Sequence, residues 1–79
     1  MRLAPFLRHE RREHEKQAKH YQRMIRHNEQ QLKRYRPGSK AHKAFSDLAA
    51  TYRRLYREAM TEAEKLTRQI KSQEKKEKR

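Results

Sequence analysis

Apolar residues recur at three- and four-residue spacing on both sides of one break in this chain, a pattern that predicts two amphipathic helices. Before the break, Leu7, Ala18, Tyr21, Ile25, Leu32 and Tyr35 fall on one side of a helical rotation. After it, Ala41, Phe45, Leu48, Tyr52, Leu55, Ala59, Ala63, Leu66 and Ile70 form a cleaner stripe. The break is Arg36-Pro37-Gly38-Ser39, with the single glycine of the chain and one of its two prolines. Proline lacks a backbone N–H and clashes with the preceding turn, so the first helix should stop there. Glycine takes positive φ without strain, and serine is a good N-cap for a second helix. The expectation is an all-α fold: helix 1 over about residues 6–36 and helix 2 over about 40–72, joined as an αα-hairpin. A single helix kinked at Pro37 is the alternative, and the Pro-Gly pair is the stronger breaker.

The two stripes differ in quality. That of helix 1 passes through Arg11, His14 and Asn28, so its packing part is Ala18 to Tyr35. Asn28 reads as a polar seam residue that fixes register at some cost in stability. In helix 2 several stripe positions recur eleven apart, which keeps a helix nearly straight. Residues 1–5 read as a lead-in, with Pro5 suited to a first helical turn. After Ile70 no apolar residue follows, and residues 73–79 read as a basic disordered tail. The chain has 79 residues, 32% of them hydrophobic, so two helices packed on one seam are marginal alone. A dimeric four-helix bundle is therefore expected, with Tyr21, Ile25, Leu32, Phe45, Leu48, Tyr52, Leu55, Leu66 and Ile70 as the interface.

Charge changes the picture most. Lys and Arg number 23 against 10 Asp and Glu, a formal net charge of +13. It is shared by both halves: residues 1–36 carry 11 basic and 4 acidic side chains (+7), residues 37–79 carry 12 and 6 (+6). Roughly opposite its stripe, helix 1 has a row of Arg8, Arg12, Lys16, Lys19, Arg23, Arg26 and Arg34, with His9, His20 and His27 beside it. Helix 2 has Lys40, Lys43, Arg54, Arg57, Lys65 and Arg68, interrupted by Asp47 and Glu58. Like charges one turn apart repel, and a polyanion relieves that repulsion, with arginine's forked donors suited to phosphate. These thirteen residues are the candidate nucleic-acid contacts. The simpler reading is a solvated face on a bundle helix.

Other chemistry is thin. No cysteine is present, and one glycine cannot make a phosphate-binding loop. His9 with Glu13 and Glu10 with His14 are i, i+4 pairs, but they point in different directions among arginines, so neither a metal nor a cofactor is expected. No serine or threonine has a partner that would activate it, and an enzyme is not expected. Three of the four tyrosines lie on the stripes, where packing outweighs base stacking; Tyr56 is at the margin. The helices are too long for a helix-turn-helix, and the seam breaks where a basic zipper would continue. No apolar run reaches the roughly 20 residues of a membrane span, and residues 1–7 are too short for a signal-peptide core. The leading expectation is a cytoplasmic accessory or regulatory protein that forms a homodimer and binds DNA or structured RNA by backbone electrostatics. The alternative is an adaptor or inhibitor whose basic face docks on an acidic partner protein. A weaker reading attaches the chain to anionic membranes through Leu3, Phe6 and Leu7.

Overall fold

The computed structural model describes residues 4–77. They form two helices, α1 (Ala4–Leu32) and α2 (Lys40–Glu77), packed antiparallel as a hairpin. The Cα atoms extend over 62 × 14 × 13 Å, so the molecule is a two-helix rod.

The reversal is built as its residues dictate. At the end of α1, the N–H groups of Lys33, Arg34 and Tyr35 donate to the carbonyls of Gln30, Gln31 and Leu32, at 3.3, 3.0 and 3.4 Å. These i to i−3 bonds tighten the turn, which is why α1 stops at Leu32 and not near Arg36. Gly38 has φ +90°, the left-handed region that a β-carbon penalises. The Ser39 hydroxyl accepts from the His42 N–H at 3.2 Å and donates to the Arg36 carbonyl at 2.8 Å. One side chain thus caps α2 and ties it to the turn.

The seam is made of small residues. Ala4, Ala18, Ala49, Ala59 and Ala63 are buried, and Ile70 is the one large apolar side chain among the buried residues. Alanines let two helices approach closely but bury little area each, so aromatic pairs on the flanks supply much of the contact. Tyr21 and Tyr52 meet with ring centroids 6.0 Å apart, and Tyr35 stacks on Phe45 at 5.6 Å. Asn28 is 2% exposed in this seam and donates to the Met24 carbonyl of its own helix at 2.8 Å.

Besides the early end of α1, three features differ from the sequence pattern: α1 begins at Ala4, so Ala4 and Pro5 of the expected lead-in are helical, and the other two lie in α2. Ala49 is 1% exposed and Leu48 45%, so the smaller neighbour takes the seam and Leu48 is turned to its flank. A seam of alanines selects for close backbone approach, and a one-residue step turns a side chain by 100°. α2 continues past Ser72 to Glu77. Its last turns are rich in Glu and Lys, which are strong helix formers, and Lys75 and Lys76 suit the negative end of the helix dipole. The Arg8 guanidinium pairs with Glu74 and ties this extension to the start of α1. Lead-in residues 1–3, Leu3 included, and tail residues 78–79 lie outside the described residues. No described helix is long and apolar enough to cross a membrane.

Candidate nucleic-acid interface

Two helices packed side by side have two long edges, where the flanks of both meet. On one edge, cross-helix contacts fix the register: Arg8 with Glu74, Gln22 Nε2 donating to the Tyr56 hydroxyl at 3.1 Å, and Arg53 with Glu29 at 2.6 Å. Open clefts on this edge are lined by Lys19, Gln22, Tyr56 and Met60, and by Glu15, Met60, Glu64, Arg68 and Lys71. Helical rotation adds Arg12 and Arg26 from α1 and Arg57 from α2, the last at the margin, where it also lines an open cleft with Arg54, Glu58, Thr61 and Glu62. Arg8, Arg12, Lys19 and Arg26 of α1 therefore stand beside Arg53, Arg57, Arg68 and Lys71 of α2.

This edge also has four carboxylates, and three are engaged. Glu74 is with Arg8, Glu29 with Arg53, and Glu15 with Arg11 at 3.6 Å. With Arg11, the partner of Glu15, and Lys33, which shares a cleft with Arg26 and Glu29, ten cations against four carboxylates leave the edge with a formal charge of +6. These ion pairs are about half exposed, so each contributes little to stability; the two that cross between the helices hold the rows in register.

The other edge has the opposite sign. A cleft there is lined by His14, Gln17, Tyr21, Leu55, Glu58 and Glu62. Rotation along α1 brings Glu10 and Glu13 to the same side, with Glu13 reached by Lys16 at 3.4 Å. Lys40 and Lys65 lean this way, Lys65 meeting Glu62 at 3.3 Å. The half-exposed part of the apolar stripe, Tyr21, Leu55 and Leu66 with exposed Leu48, lies along this edge too.

The thirteen basic residues expected at an interface are thus divided. Arg8, Arg12, Lys19, Arg26, Arg57 and Arg68 converge on the cationic edge. Lys16, Arg23, Lys43 and Arg54 point outward from the rod, Lys40 and Lys65 toward the carboxylate edge, and Arg34 lies in the turn beyond α1. Arg53 and Lys71 belong to the cationic edge and were not in either row. Their signal in the sequence is an offset to one side of the stripe, which has meaning only once the partner helix is placed. Of the interface candidates, Ile70 is buried; Tyr21, Ile25, Leu32, Phe45, Tyr52, Leu55 and Leu66 are half-buried. No group of three or more His, Cys, Asp and Glu among the described residues could hold a metal ion.

By fold and charge this is a cationic helical hairpin with one basic edge. No family model, no curated protein and no solved structure matches the chain.

Proposed function

We propose that this hairpin binds nucleic acid through the phosphate backbone, using its cationic edge, as an accessory or regulatory protein of the cytoplasm. The observation that carries the reading is that both helices deliver basic side chains to one edge while Glu10, Glu13, Glu58 and Glu62 are set on the other. The carboxylates divide evenly, four to each edge, so it is the greater number of cations on one edge that raises its local potential and its pull on a polyanion. Few cations of the edge are spent on internal pairs, which leaves Arg12, Lys19, Arg26, Arg57, Arg68 and Lys71 for phosphates. Backbone contacts of this kind carry little sequence information.

The test is a salt titration of binding to labelled DNA and RNA. Affinity should fall steeply, with a log–log slope of about −0.9 per phosphate contacted on duplex DNA. Salt-indifferent binding, or none to either polymer, contradicts the reading. A homodimer completes it in the form expected from the stripes. Because the inner stripe is taken up between α1 and α2, a second copy would meet the flank that includes Leu48, Leu55 and Leu66, and light scattering in the binding buffer gives the mass. Arginines of the same edge already donate to carboxylates, as Arg53 does to Glu29, and this favours an acidic protein face as the second reading. Capture of a protein partner that survives nuclease treatment would select it.

A further inference from the structure

The cationic edge consists of two parallel rows, one from each helix, and a duplex has two phosphate backbones. The register set by Arg8 with Glu74 and Glu29 with Arg53 places Arg12 level with Arg68 and Lys71, and Arg26 level with Arg53 and Arg57. These levels are about 14 residues apart along α1, or roughly 21 Å. Packed helices are about 8–10 Å apart, and basic side chains that lean outward from each place their charges roughly 10–20 Å apart. Between the rows lie Gln22, Tyr56 and Met60, with Glu15 and Lys19 lining the same cleft, and the pairs Arg8 with Glu74 and Arg53 with Glu29 cross it.

We propose that the hairpin grips duplex DNA across the major groove, the α1 row on one phosphate backbone and the α2 row on the other. The B-form major groove is about 12 Å wide, which matches the row spacing, while the hairpin is too broad to enter it edge-on. A single strand presents one line of phosphates and neutralises one row, leaving the other with its repulsion. In an A-form RNA duplex the major groove is deep and narrow, its backbones too close together for the two rows, and only the wide, shallow minor groove is left to them. The Gln22 amide is engaged with the Tyr56 hydroxyl and the rows meet phosphates, so base sequence is not read. The inference rests on the nucleic-acid reading above and goes beyond it by naming the ligand as a double strand of B-form geometry.

The experiment uses the full chain with a fluorescent duplex DNA, one strand of it alone, and the RNA duplex of the same sequence, at about 0.15 M salt. Native protein should bind duplex DNA at least about tenfold more tightly than either other ligand, and with the steepest salt slope. Two variants of equal charge change remove one row each: Arg12→Glu, Lys19→Glu, Arg26→Glu in α1, and Arg57→Glu, Arg68→Glu, Lys71→Glu in α2. Each should lower the duplex slope by about 2.7 and bring the duplex-to-single-strand ratio to parity. Alanine versions of both triples, with helix content followed by circular dichroism, decide the matter if a glutamate triple does not fold. A native ratio near parity, a preference for the RNA duplex, or a triple variant that keeps the native ratio overturns the two-strand grip while nucleic-acid binding stands. Absence of binding to all three ligands removes the underlying reading, and the grip with it.

Discussion

Along one edge of the rod, Arg12, Lys19 and Arg26 of α1 stand beside Arg57, Arg68 and Lys71 of α2; along the other lie Glu10 and Glu13 of α1 and, further along the rod, Glu58 and Glu62 of α2. Both edges flank the same alanine seam. They differ in charge and in how the helices are joined across them. The cationic edge is crossed by Arg8 with Glu74, Gln22 with Tyr56 and Arg53 with Glu29, whereas the carboxylate edge keeps the half-buried Tyr21, Leu55 and Leu66. A net charge of +13 is therefore not a uniform coat. Opposite edges of the rod are separated by more than the Debye length of about 8 Å at physiological salt, so each acts on its surroundings almost independently.

The largest effect should come from erasing the difference outright. Reversing Arg12, Lys19, Arg26, Arg57, Arg68 and Lys71 together to Glu should weaken binding to DNA by about a thousandfold or more at low salt, with a slope shallower by about 5. Ile70→Ala should come next, at about 2–5 kcal/mol of stability, because a seam of alanines can hardly close around the cavity. It loosens the end where Arg12 faces Arg68, and a thermal melt with binding measured below the midpoint separates the two effects. Gly38→Ala should cost about 1–2 kcal/mol in the same melt. No atom lies within 4 Å of the new β-carbon, so that cost is the positive φ alone.

A finer comparison neutralises two carboxylates on one edge or on the other. Glu15→Gln with Glu64→Gln, on the cationic edge, should tighten binding by up to about tenfold, and Glu58→Gln with Glu62→Gln by no more than about twofold. The net charge of the two doubles is the same, so equal effects would mean that total charge matters and its placement does not.

How much of this was readable in the residues follows from what each feature depends on. Pro37, Gly38 and Ser39 act on their own backbone, and the hairpin they announce is the fold observed. The stripes gave the seam to within a residue: Leu48 was read into it, but close approach of the helices favours Ala49. The end of α2 was set too early, at Ser72, because a lack of apolar residues was read as disorder where Glu and Lys sustain a helix. The edges were beyond reach. Two rows could be drawn, each opposite its own stripe, but which flank of α1 meets which flank of α2 depends on the hand of the hairpin. That hand is set by the short turn and by seam packing, and periodicity in either helix is blind to it. Arg53 and Lys71 were passed over for this reason, and Lys40 and Lys65 were included.

The claim that the cationic edge is the binding surface is tested most directly by following amide and arginine side-chain resonances of the intact protein as duplex DNA is added. Shifts should concentrate on Lys19, Gln22, Arg26, Tyr56, Arg57 and Arg68, with Gln17, Leu55 and Glu62 unmoved. Shifts centred on the carboxylate edge, or spread evenly around the rod, would contradict it.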